Sequence, residues 1–289
     1  MRVLVLGSDT PLGAELAERQ RHLGRHEIVG LSRAACRWKS ERQAKKSTVR
    51  AQCDIVVDVR IEAAGDGGDV IQALDLERCH WVAKACQRSG TPYLYVSSSR
   101  VFSGQLERPY TEADPPDSDE TVGRLLAEAE QIVREGCDAH FILRLGPLFS
   151  HDRPRHVVRM LGALTQGSSL ALDNNLRGAP VVAADGARVV SAVLDQLGTG
   201  IQPWGIYHYC SSDSATYYEF AEAARAAASQ FYEVDPAAVQ LADAQDSLAP
   251  LNRVLDCSKI RSTFAIKQVT WRSAIADLVR RYHEQQQGE

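Results

Sequence analysis

The chain opens with a short apolar run, MRVLVL, that ends at Gly7 and gives way to Leu12, Leu16 and Leu23 on about one helical face. A strand, a tight turn and a helix are predicted. Two further runs read as strands: residues 26–31 (HEIVGL) and 54–59 (DIVVDV). The second is bare enough of polar residues to lie inside a parallel sheet. Within residues 70–88, Cys79, Val82, Ala83 and Cys86 recur at i, i+3, i+4 and i+7, the stripe of a helix packed on a sheet. Residues 93–97 (YLYVS) restore a strand, 121–135 a helix and 140–144 (HFILR) a strand. Such alternation predicts an α/β fold, a Rossmann-type doubly wound parallel sheet with a ligand crevice at the carboxyl ends of its strands.

After residue 150 the alternation weakens. Residues 156–164, 187–197, 217–231 and 271–287 read as helices, and 205–209 (GIYHY) as a strand. With no repeat and no Pro-rich or Gly/Ser-rich linker, the expected organisation is a dinucleotide-type domain over 1–150 that also receives segments from about 180–210. A smaller mixed α/β lobe over 151–289 interleaves with it.

Composition narrows the class. Apolar residues make up 44% and charged residues 24%, and 33 basic against 37 acidic side chains leave a net charge of -4. That balance argues against nucleic acid as the main partner. A membrane span would need about 18 consecutive apolar residues, and none exists, so a cytoplasmic protein is expected. The seven cysteines form no CxxC pair and no metal spacing, and read as reduced, mostly buried thiols.

Candidate chemistry begins at the first turn. Gly7, Thr10, Pro11, Leu12 and Gly13 sit between strand and helix, where the helix amino end presents N–H groups and a positive dipole end to a pyrophosphate. Thr10 followed by Pro11 also makes a sound N-cap and first helical residue without any ligand, and Asp9 would repel a pyrophosphate. At the end of the second strand an acid would hold the 2′-OH of NAD, and an arginine the 2′-phosphate of NADP. Ser32, Arg33 and Arg37 stand there, so NADP(H) is expected over NAD(H). Residues 33–50, with seven Lys or Arg against one Glu, otherwise read as a solvated loop and helix face.

The strand YVSSSRVFSG, the run PYTEAD, the strand ILRLG, the loop RGAPVVAAD, the segment GIYHYCSSDSATYYEFA and the closing LNRVLDCSKIRSTFAIKQVTW follow in order. Together they resemble the signatures of the dTDP-4-dehydrorhamnose reductase family, extended short-chain dehydrogenases, from about residue 1 to residue 280. The resemblance implies an NAD(P)-binding Rossmann domain and a sugar-nucleotide lobe. It also implies reduction of a 4-keto sugar by hydride, with a Ser or Thr, a Tyr, and a Lys four residues after the Tyr.

At those positions the chain departs from the family. Aligning Gly123 and Glu130 of VGRLLAEAE puts Val122 in place of the Tyr and Leu126 in place of the Lys, leaving Ser98 as a remnant. Neither Val nor Leu can donate a proton or carry charge, and loss of a positioned donor costs roughly 10²- to 10⁴-fold. Thr10 replaces the family's middle glycine, and Asp58-Val59-Arg60 replaces an Asn-Ala-Ala beside the cofactor, which narrows or reshapes the cleft. Tyr110 is the candidate substitute donor, while Arg144 is expected to brace the interface between lobes. The expected function is a degenerate reductase that binds NADP(H) or a nucleotide sugar and works as a binding or regulatory protein, with a protein client. The alternative is an active NADPH-dependent reductase or epimerase with an atypical donor.

Overall fold

A computed structural model describes residues 1–60, 71–150, 155–242 and 251–287. Its centre is a parallel sheet of six strands: β1 (Arg2–Leu6), β2 (Glu27–Leu31), β3 (Ile55–Asp58), β4 (Tyr93–Ser98), β5 (His140–Leu145) and, far along the chain, β10 (Gly205–Tyr209). In space they run β10-β5-β4-β3-β1-β2. Every residue of β3 and all but the first of β1 is buried, as a strand covered on both faces requires. One helical layer pairs α1 (Pro11–Leu23) with α6 (Ala183–Leu197). The other holds α2 (Glu41–Ala51), α3 (Ala73–Ser89) and α4 (Thr121–Gly136) side by side. The helix expected over 70–88 begins at Ala73 among the described residues, and Val70 lies outside them.

The chain leaves β1 for β2 on one side and returns to β3 on the other. That reversal opens the crevice of a doubly wound sheet over the carboxyl ends of β1 and β3. The basic stretch is a loop followed by the helix α2, which buries only Ala44, Thr48 and Ala51. So narrow a stripe of small residues carries almost no apolar periodicity, which is why the sequence reads there as charge.

A second hydrophobic cluster gathers around α5 (Arg155–Thr165), α7 (Tyr217–Ala228) and α9 (Arg272–Gln287), with Phe149 and Trp271 inside it. Short strands trim this region. They are β6 (Leu148–Phe149) with β9 (Val181–Val182), β7 (Leu170–Leu172) with β12 (Val239–Leu241), and β8 (Leu176–Gly178) between β11 (Ala215–Thr216) and β13 (Leu251–Asn252). A capping box starts α7: Thr216 Oγ1 accepts from the Glu219 N–H at 3.1 Å, and the Glu219 carboxylate accepts from the Thr216 N–H at 3.0 Å. The chain then returns through α8 (Ser258–Phe264), whose Ile260 and Phe264 belong to the first cluster.

Candidate functional site

At the end of β1 the chain must reverse within a few residues, and Gly7 takes φ +88°, where a side chain is strained. A Cβ there would lie 3.0 Å from the Arg60 nitrogen, and one on Gly13 would lie 2.3 Å from the Gly7 carbonyl oxygen. The two glycines let α1 seat directly on the turn. Thr10 is fully buried, and its hydroxyl turns inward to accept from the Gly13 N–H at 3.1 Å. The residue that replaces a glycine therefore caps the helix. Leu12 is also fully buried and packs toward α6.

The Gly7 and Ser8 N–H groups both donate to the Leu31 carbonyl, which ties this turn to the end of β2. Asp9 reaches the same place. Its Oδ1 accepts from the Arg33 N–H at 2.6 Å and its Oδ2 lies 3.7 Å from Arg33 Nε. The carboxylate that would repel a pyrophosphate is engaged by Arg33. Ser32 accepts from the Ala35 N–H at 3.2 Å, and Arg37 is exposed. The structure thus brings together Gly7–Gly13 and Ser32–Arg37, a glycine-shaped cradle with cations at its rim. Those residues fit a phosphorylated dinucleotide.

At the end of β3, Asp58 is 0% and Arg60 8% exposed. Arg60 donates to both carboxylate oxygens of Asp58 at 2.9 and 2.6 Å, and the Tyr93 hydroxyl donates to Asp58 Oδ2 at 2.6 Å. The guanidinium lies 5.3 Å from the centre of the Trp38 ring. These charges neutralise each other inside the protein, and the atoms nearest a Cβ on Gly7 belong to the buried backbone of Val59 and Arg60. Burial pushes the neighbouring Cys36 and Cys79 thiols up to about 12, so neither is a nucleophile near neutral pH.

The amino end of α4 carries the largest departure. Leu126 is 2% exposed within the main core, and Val122 packs against that core. Ser98 accepts from the Arg100 N–H at 3.3 Å and so caps the tight turn Ser99–Val101. A Cβ on Gly123 would lie 2.3 Å from the Arg100 carbonyl oxygen, so α4 rests on that turn. Beside it, Glu120 accepts from Arg100 at 3.1 Å and from Arg253 at 2.5 Å. Arg253 is 7% exposed, and its Nε has no hydrogen-bond partner among the described residues. Burial raises the Glu120 carboxyl, but Arg253 and Arg100 outweigh it and hold the group below its ordinary range. The guanidinium groups of Arg100 and Arg253 thus meet at the Glu120 carboxylate. Sequence reasoning did not single out Arg253 as a site residue, although the run LNRVLD that holds it was among the segments carrying the resemblance.

Tyr110 is 1% exposed and stacks on Phe102 at 4.1 Å. Its hydroxyl accepts from the Gly104 N–H at 3.0 Å, and its backbone pairs with Val254 and Asp256. Its carbonyl accepts from His208 Nδ1 at 3.1 Å, while Arg144 donates to Nε2 of the same ring at 3.3 Å. Those partners specify a neutral imidazole. Arg144, expected at the lobe interface, instead lies inside the sheet domain, held by Glu130 of α4 at 2.6 Å. Burial, then Arg144, drives His208 down to about 3 from an ordinary 6.5. Between those values the unfolded chain binds a proton that the folded chain refuses, so stability falls as pH drops through that window. The loss is roughly 3 kcal/mol at pH 4. In urea unfolding at pH 7 and pH 4, His208→Gln should flatten this part of the dependence, and an unchanged slope would exclude His208 as its source.

Two cavities lie away from the glycine turn. One, of about 390 Å³, runs beside α4 and is lined by Ser118, Arg124, Glu128, Arg134 and Arg144, among others. The second, of about 330 Å³, lies between the end of β10 and α8. Among the described residues no group of three His, Cys, Asp or Glu could hold a metal, and no helix is long and apolar enough to cross a membrane.

A family model described as the RmlD substrate binding domain matches residues 1–284. The chain belongs to this RmlD family. One relative is a dTDP-4-dehydrorhamnose reductase of Aggregatibacter actinomycetemcomitans, 24% identical over 294 residues, which cover 98% of this chain and 99% of the relative. Another is the spore coat polysaccharide biosynthesis protein SpsK of Bacillus subtilis, 26% identical over 77% of each chain. Among solved structures, a dTDP-4-dehydrorhamnose reductase from Clostridium acetobutylicum superposes with a TM-score of 0.80 at 18% identity, covering 97% of this chain and 99% of its own. One from Bacillus anthracis, in complex with NADP, superposes with a TM-score of 0.79 at 18% identity and the same coverage. These likenesses confirm the Rossmann-type fold. In this RmlD-family chain the glycine turn is intact as backbone, while the first turn of α4 offers an apolar face and a nearby pair of arginines.

Proposed function

We propose that this chain binds NADP(H) and a nucleotide sugar in the frame of a dTDP-4-dehydrorhamnose reductase but does not run the family's reduction, and acts instead as a binding or regulatory protein. The turn Gly7–Gly13 would hold the pyrophosphate, and Arg33 and Arg37 the 2′-phosphate. Arg100 and Arg253 would face the anionic part of the sugar ligand. When bound, such a cofactor supplies hydride-transfer chemistry. Reduction of a ketone also needs a proton delivered to the oxygen as charge develops on it. The observation that carries the proposal is Leu126, 2% exposed in the apolar core, with Val122 one turn before it. Neither residue holds or moves a proton. Tyr110 makes a poor substitute, being 1% exposed with its hydroxyl engaged by the Gly104 N–H.

The cofactor half of the proposal is tested at Arg33. Charge-assisted hydrogen bonds contribute about 1.5–3 kcal/mol. Arg33→Ala should therefore raise the Kd for NADPH roughly 10- to 100-fold and leave NADH little changed, as read from the ligand-induced rise in thermal midpoint. Equal loss for both nucleotides would show that Arg33 does not read the 2′-phosphate.

A further inference from the structure

Cys210 directly follows β10, and Cys257 is the N-cap of α8. The two sulfurs lie 3.7 Å apart, and the residues are 1% and 5% exposed. The Cys210 backbone N–H donates to Cys257 Sγ at 3.3 Å, and Gln268 Nε2 lies 3.7 Å from Cys210 Sγ while also holding the Cys210 and Ser211 carbonyls at 3.1 and 2.9 Å. Donors aimed at a sulfur favour its thiolate. The contact with Cys257 is the largest influence holding the Cys210 thiol below its ordinary range, while the same contact and burial push Cys257 well above it; either sulfur can donate in that contact, and Cys210 Sγ also reaches the Leu255 carbonyl at 3.3 Å. Cys36, Cys79 and Cys137 differ, since burial pushes each up, to about 12, 12 and 11.

Burial alone would shield this pair from any reagent, but Cys257 lines the cavity of about 330 Å³, together with Ser211, Ser258, Arg261 and Gln268. The cavity wall is largely polar, and of the two cysteines it is Cys257 that lines it. From the contact, the donors and the cavity we infer that Cys210 and Cys257 form a reversible dithiol–disulfide site, oxidised by a low-molecular-weight disulfide.

In the first step the Cys210 thiol loses its proton to solvent and takes up that of Cys257, 3.7 Å away, whose sulfur attacks one sulfur of the small disulfide. A mixed disulfide forms, the reagent's S–S bond breaks, and one small thiolate leaves. In the second, Cys210 Sγ attacks the Cys257 sulfur, and the internal S–S bond forms as the second small thiolate leaves. The protein loses two electrons and two protons, and the reagent is reduced to two thiols. The sulfurs need only close to about 2 Å.

The resulting link joins the end of β10 to the start of α8. The segment beside it, Val254 to Asp256, is the one whose backbone pairs with Tyr110, and Arg253 of the same run holds Glu120. Oxidation would therefore stiffen one wall of the candidate site without consuming any residue of the glycine turn.

The test uses the full chain, folded, exposed to bis(2-hydroxyethyl) disulfide, then unfolded, alkylated at its remaining thiols and weighed intact, with a non-reducing peptide map. Five of the seven cysteines should remain alkylatable, with a link between Cys210 and Cys257. The thermal midpoint should rise by on the order of 5 °C and fall back on addition of dithiothreitol. Both changes should be absent in Cys210→Ser and in Cys257→Ser. Seven alkylatable thiols after treatment, a link between any other pair, or small-thiol adducts confined to half-buried Cys53 would overturn the inference.

Discussion

Glu130→Gln is expected to destabilise the folded chain by about 3–5 kcal/mol, because it removes the counter-charge of a buried guanidinium. Arg144 is 1% exposed and donates to both Glu130 oxygens, at 2.9 and 2.6 Å. It also lies 5.0 Å from the Phe102 ring centre and touches His208, so α4, β5 and β10 all converge on it. Breaking such a pair costs far more than removing it whole. The double variant Glu130→Leu, Arg144→Met should recover much of the loss, and equilibrium unfolding in urea measures both. A single variant within about 1 kcal/mol of the parent would mean that water reaches Arg144 after all.

A comparable loss, again about 3–5 kcal/mol, is expected for Asp58→Asn. Arg60 would stay buried at 8% exposure beside Trp38 with its ion pair gone, and the Tyr93 hydroxyl would lose a charged acceptor. The thermal midpoint should drop by on the order of 10 °C. This variant also separates two readings of the charged strand end. If Asp58 and Arg60 serve only the fold, NADPH affinity per folded molecule stays within about twofold of the parent at a temperature where both are folded. A larger loss of affinity at that temperature would place their charges in the cofactor crevice.

The central strands were legible because strands covered on both faces must be continuously apolar, as in RVLVL and IVVD. The second cluster was legible as helices but not as strands, since pieces of two or three residues such as β6, β9 and β11 contain no period to read. In the site, Gly7, Gly13 and Arg33 stood out because each answers a local demand: a positive φ, a close approach, a cation at a strand end. Glu120 with Arg253 did not, for the two are 133 residues apart and meet only through the return of the chain after β13. Which way Asp58 and Arg60 face was equally hidden. The run Asp-Val-Arg does not show that the Tyr93 hydroxyl and the Trp38 ring stand beside the two charges.

The most direct measurement of the central claim is one sample studied two ways: the thermal midpoint of the chain with NADPH, and the nicotinamide absorbance of the same mixture after a dTDP-4-keto sugar is added. The account predicts a midpoint that rises with NADPH, more than with NADH, and an absorbance that does not decay above the protein-free rate. Consumption of NADPH at an ordinary enzymatic rate, about 1 per second or faster, would contradict the loss of reductase chemistry. A midpoint unmoved by either nucleotide at saturating concentration would contradict binding.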